Sequence, residues 1–297
     1  MKVMKHMKCI AIVFSICLAQ VVSAQKDSVK INPQDTIRIG GKLIIKKEAP
    51  DQKKQETTIY TENNRKQKRS NVSTADWVVD IGFANWIDNT NYSAATSQNY
   101  IINKPGSAAL GANDFKLRNG KSSNVNIWVF MQRLNLIKHY VNLKYGLGVE
   151  LNNYRFKSPV SFKEVGTNPY SMAQNINHAF VFRDSISFSK NKLAADYVTV
   201  PLMLNFNSNP TVSNKGVNFS AGVSMGYLYS TRNKQISGER GKRKNRGDYD
   251  LEKWKFSYIA ELGLGPARLY GSYTPNSIFE NGLNMKTYNV GVRLSNW

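Results

Sequence analysis

From Asp76 to the end of the chain, apolar and polar residues alternate one by one in eight separate runs. A period of two places successive side chains on opposite faces, so each run predicts a strand with one apolar and one polar face. The predicted strands cover residues 76–86, 123–134, 140–154, 193–207, 217–230, 253–264, 267–274 and 286–296. The third is the most regular: Val141, Leu143, Tyr145, Leu147, Val149 and Leu151 oppose Asn142, Lys144, Gly146, Gly148, Glu150 and Asn152. In the second, Val125, Ile127, Val129 and Met131 form the apolar row. Pro201 lies inside the fourth; it cannot donate to a ladder and predicts a bulge or local bend there. The chain stops on an aromatic, Trp297.

The connections alternate in length. Residues 135–139, 208–216 and 265–266 are short links, whereas 87–122, 155–192, 231–252 and 275–285 are long. Short periplasmic turns and long external loops, on an even number of strands, are what an outer-membrane barrel requires. The expected fold is therefore all-β: an eight-stranded antiparallel up-and-down transmembrane barrel over residues 76–297. Its apolar rows face lipid and its Gly, Ser and Asn rows face a small lumen, and closure satisfies every strand hydrogen bond. A soluble β-sandwich or lipocalin-like barrel would share the alternation, with the apolar face turned inside.

The beginning of the chain separates these readings. Residues 1–24 read as a secretory signal peptide, with Lys2, Lys5 and Lys8 in its basic part and a short apolar stretch over 9–18. That stretch is too short to span a bilayer, and Val22, Ser23 and Ala24 suit cleavage after Ala24. Ile16 stands where a lipoprotein signal needs a small residue before Cys17. Residues 25–75 form a flexible periplasmic segment, because 51–74 is rich in Lys, Gln, Glu, Asn and Arg with almost no large apolar residue. Within it, Ile37, Ile39 and 43–45 flank Gly40 and Gly41 as a small hairpin. The location expected is the cell outer membrane.

The formal net charge is +21 and stays strongly positive once the three signal lysines are removed. An exported barrel has no access to nucleic acid, so the charge points to outer-membrane lipid and lipopolysaccharide, with other envelope proteins as further candidate partners. Both cysteines, Cys9 and Cys17, leave with the signal, which excludes disulfides and thiolate metal sites. His139 and His178 cannot build a metal site alone. No glycine-rich phosphate loop or HExxH is present. No cofactor, metal or catalytic residue is expected.

Residues 197–206, YVTVPLMLNF, and 219–230, FSAGVSMGYLYS, resemble consecutive strands of the PorT-like outer-membrane barrel domains. The resemblance implies the same fold and location over about residues 76–297. Some members of that family are linked to secretion and gliding machinery, which implies a role as accessory to an envelope assembly; the family brings no catalytic residues.

Two groups of residues carry candidate chemistry. Asp80, Lys144, Glu150, Glu261, Arg268 and Arg293 fall on predicted lumen rows. They read as a buried charge network plugging the barrel, with a polar conduit as the alternative. Arg232, Lys234, Arg240, Lys242, Arg243, Lys244 and Arg246 crowd one external loop with Glu239 as its only acid, and suit phosphate or another anion. Trp77, Trp86, Tyr140, Tyr154, Tyr227, Trp254, Tyr273 and Trp297 sit near strand ends as interfacial aromatic belts. The function expected is structural or binding, through the loops and N-terminal segment. The rivals are a narrow channel and an enzyme acting on lipid or surface protein, for which His178, Asp184 and Ser185 are the only candidate set.

Overall fold

A computed structural model of the chain describes residues 36–39, 42–45, 58–61 and 70–295, apart from Asp76, 211–215 and Pro266. The expected signal peptide, most of the N-terminal segment and Trp297 lie outside the described residues. The chain divides into two units, Met1–Arg69 and Ser70–Trp297.

In the first unit, Thr36–Ile39, Lys42–Ile45 and Thr58–Thr61 form a three-stranded antiparallel sheet with Lys42–Ile45 in the middle. The hairpin was expected; the third strand was not, because 58–61 sits in a stretch whose composition predicts no structure. A third partner is what two strands need to be stable in water.

The second unit is a closed barrel of β1 (Val78–Asp88), β2 (Ser123–Ile137), β3 (Val141–Arg155), β4 (Lys190–Asn207), β5 (Val217–Ser237), β6 (Trp254–Leu264), β7 (Ala267–Tyr273) and β8 (Met285–Ser295). Each strand pairs antiparallel with its neighbours in sequence, and β8 pairs with β1 to close the ring. Large apolar side chains point outward all round: Phe83, Val129, Tyr258 and Val290 are each more than half exposed. In water such a surface would be untenable; against hydrocarbon it is the expected face. None of the described helices is long and apolar enough to cross a membrane.

Several details depart from the sequence pattern. Val72–Ala75 pairs with β2 below β1, so the barrel unit starts at Ser70 rather than 76. Val129 is an extra residue in β2, and this bulge turns Met131 from the expected lipid row into the lumen, where it is fully buried against Gly146. Pro201 causes no register shift; it pairs with Ser224, and the β4–β5 irregularity lies at Asp196 and Tyr197 instead. The β2–β3 turn has Lys138 and His139 at φ 44° and 63°, with Tyr140 N–H donating to the Ile137 carbonyl. Two consecutive positive φ values suit a tight hairpin, although neither residue is a glycine.

The long links are built into a solid cap rather than open loops. The strands Ile101–Ile102, Phe180–Arg183 and Val160–Lys163 form one small sheet there. The one-and-a-half-turn helix α1 (Tyr92–Ser97) is N-capped by Asn91. Phe115, Phe156, Phe162, Tyr249 and Phe279 join Trp86 and Tyr154 in one buried core. Trp86 and Tyr154, expected in an interfacial belt, belong to this core instead, with ring centroids 4.9 Å apart. Trp77, Tyr140, Tyr227, Trp254 and Tyr273 remain exposed on the outer wall.

Candidate functional site

A network of charged and polar side chains crosses the lumen. Arg293 on β8 faces Asp80 on β1 across the seam, with Nε to Oδ1 at 2.6 Å and Nη2 to Oδ2 at 2.7 Å. Its third nitrogen, Nη1, reaches Glu261 on β6, and Glu261 also takes Lys144 from β3. Asn126 and Trp128 donate to Asp80 Oδ2 at 3.1 Å and 2.9 Å. The Arg293 guanidinium lies 5.6 Å from the Trp128 ring centre. A second pair joins Lys255 on β6 to Glu150 on β3, which also accepts from Asn152. Charges in these pairs balance, three cations against three carboxylates, as burial demands.

What remains open beside Asp80, Glu150, Glu261 and Arg293 is a cavity of about 20 Å³. That is room for about one water molecule. Of the sequence candidates, Asp80, Lys144, Glu150, Glu261 and Arg293 meet in these pairs. Arg268 shares the inward row but is only half-buried and joins no ion pair among the described residues. Lys255 was missed, although it stands two residues before Ser257 on the same polar row.

Packing at the seam needs glycine. Tyr270 on β7 lies across Gly291 and Gly82 on the next two strands to donate its hydroxyl to Asn124 on β2. A Cβ on Gly291 would stand 2.3 Å from the Ile81 carbonyl, and one on Gly82 would stand 2.5 Å from the Tyr270 hydroxyl. The small residues give the ring its bed.

The basic segment is not a loop but a hairpin. The β4–β5 ladder runs on past the barrel to Ile236, β5 itself ends at Ser237, and Gly241–Arg246 folds back onto β5 as a fourth strand. Gly241 supplies the positive φ at the turn, 62°. One face of the hairpin is fixed to the cap: Asn233 donates to Asn191, and Gln235 donates to Ser161 at 2.7 Å. Arg232 pairs with Asp196, and Arg240 with Asp184 at 2.9 Å. Lys242, Arg243, Lys244 and Arg246 are exposed.

A family model described as "Outer membrane protein beta-barrel domain" matches residues 67–284, most of the chain. The chain belongs to this family. No curated protein matches it. Among solved structures, it is similar to Ail, the attachment invasion locus protein of Yersinia pestis. One structure is in complex with the heparin analogue sucrose octasulfate, at 11% identity; the other is of Ail itself, at 10%. Each alignment covers 74% of this chain and 98% of Ail with a TM-score of 0.28, too low to add to the fold assignment.

In this outer-membrane barrel the nominated His178, Asp184 and Ser185 do not form a catalytic set. His178 Nδ1 contacts the neighbouring Ala179 carbonyl at 2.9 Å. Asp184 is occupied by Ser161, Ile186 N–H and Arg240. The two histidines lie on different parts of the chain, His139 in the β2–β3 turn and His178 in the cap. No metal-binding cluster occurs among the described residues.

Proposed function

We propose that this barrel is a non-enzymatic, non-conducting scaffold that acts through what it displays: the folded cap outside and the N-terminal unit inside the periplasm. The observation that carries this reading is the contrast between its two interiors. The lumen is blocked by the Asp80–Arg293–Glu261–Lys144 network, with space for about one water beside it. The external links spend their aromatic residues on a core of their own, which a mere tether between strands does not need. Export by the signal peptide, cleavage after Ala24 and a PorT-like role as accessory to an envelope or secretion assembly complete the proposal. The basic hairpin faces outer-leaflet lipid.

Two measurements test it together. Purified protein in planar bilayers should give no current steps above baseline; discrete single-channel openings would replace the scaffold by a narrow channel. Proximity labelling from tags at the turn around Gly238 and ahead of residue 70 should enrich a reproducible set of envelope proteins. Labelling no richer than that of an unrelated barrel would remove the accessory role.

A further inference from the structure

Across the hairpin, Arg155 on β3 pairs in register with Lys192 on β4, Lys192 with Lys234 on β5, and Lys234 with Lys244 on the returning strand. Four cations therefore stand side by side on one straight row. Neighbouring strands are about 4.8 Å apart, so the row spans roughly 15 Å. Lys190 and Lys242 flank it, both cross-strand from Ile236.

The row faces outward. Leu193, Asn191, Asn233 and Gln235 alternate with its members and are buried in the cap. It follows the lipid-facing line of β4, Val198, Val200 and Leu202, toward the external side. Below it, Tyr227, Tyr229 and Trp254 are exposed and mark the end of the apolar wall. The row thus stands just above the acyl region, at the level of lipid headgroups.

Like charges directly opposite one another on adjacent strands are destabilising. Asp196, on the same strand as Lys192, is committed to Arg232. Lys192 has an Asn153 side chain and Arg155 a Ser189 carbonyl as neutral partners, neither of which cancels charge. The lysines feel this: burial, then Lys190 and Lys234, pull Lys192 down to about 8, and Lys234 is lowered as well. The array is held rigid by the hydrogen bonds on its inner face, so it is a preformed site rather than a mobile basic tail.

We propose that Arg155, Lys192, Lys234 and Lys244 form a ladder that binds the phosphate groups of an outer-leaflet glycolipid. Phosphates at this height answer the charge of the row, and a flat face presented sideways on the barrel wall meets a lipid more readily than a soluble anion. The inference rests on the outer-membrane placement and external side argued above.

The test uses the full-length protein folded in detergent, with mixed micelles of diphosphoryl lipid A, of dephosphorylated lipid A, and with free pyrophosphate as probes. The variant Lys192→Gln/Lys234→Gln/Lys244→Gln is compared with Lys104→Gln/Lys116→Gln/Lys121→Gln, which removes the same charge from exposed positions of the first long link, outside the hairpin. The expected result is a loss of diphosphoryl lipid A affinity of roughly 100-fold in the first variant, at about fivefold per lysine near a lipid surface. The second variant should bind nearly as the parent, and neither other probe should bind comparably. Equal loss in both variants, or equal binding of dephosphorylated lipid A, overturns the ladder. Pyrophosphate binding as tight as lipid A overturns the lipid as its ligand. Heat-modifiable migration confirms that each variant is folded. Failure of the parent to fractionate with outer membranes strikes the placement itself and is read separately from the binding result.

Discussion

Asp80 and Arg293 stand directly opposite each other across the seam where the last strand meets the first, joined by two hydrogen bonds. Both are buried, and each carries further partners, Asn126 and Trp128 on one side and Glu261 on the other. Removing one partner leaves the other buried and uncompensated. Asp80→Asn and Arg293→Gln should each cost about 3–5 kcal/mol. The double variant should lose clearly less than their sum, because the two side chains share one interaction. Urea unfolding in micelles gives all three values; strict additivity would mean that the pair is not coupled.

The glycines beside this pair set a steric limit. Gly291→Ala directs a methyl group at the Ile81 carbonyl, which belongs to the paired strand and cannot move without opening the seam. The expected outcome is a barrel that migrates as unfolded on unboiled gels or melts well below the parent. Gly238→Ala, at a hairpin tip with open space around it, should change nothing measurable. If Gly291→Ala folds as the parent does, Tyr270 does not pack across Gly291.

Membrane contact is tested on the outer wall. Val223 is about half exposed on β5 and faces lipid, so Val223→Arg should cost about 2–4 kcal/mol and impair assembly. Gly238→Arg, on the hairpin outside the barrel, should stay within about 0.5 kcal/mol. Equal tolerance of both arginines would turn the barrel inside out.

The crowded lysines predict a pH dependence of definite sign. Lys192 titrates near 8 in the folded protein against 10.5 as an ordinary lysine, chiefly because of burial and then Lys190 and Lys234. Below pH 8 it is charged in both states and its cost to the fold is fully present. Between pH 8 and about 10.5 the unfolded chain holds the extra proton, so stability rises with pH in that window. Melting curves should show this rise, and Lys192→Met should flatten it. A parent whose stability falls through the same window would refute the repulsion.

The parts of this molecule legible from sequence are those that repeat with a period of two. Val141 to Leu151 alternate because one face meets lipid and the other a packed lumen, so β3 could be traced almost residue by residue. Inward charges such as Lys144 and Glu261 follow from the same parity. The limit of parity is the bulge: one extra residue at Val129 reverses the faces beyond it and takes Met131 inside. The cap was not legible, because Phe115, Phe156, Phe162 and Phe279 come from three separate links and share no periodicity. Nor was the hairpin, since Gly241–Arg246 is exposed on every residue and an exposed strand leaves no alternation to read.

On the external placement proposed above, the aromatic core of the cap has a consequence for how the outside of this protein is seen. Tyr154 from β3, Phe162 from the second link, Tyr249 from the third and Phe279 from the fourth share one interior, so no external segment keeps its shape by itself. Antibodies, phages or neighbouring proteins that touch the cap meet a single conformational surface. A change buried under one link alters the display of all four, and a peptide copied from any one of them would not reproduce what the cell exposes.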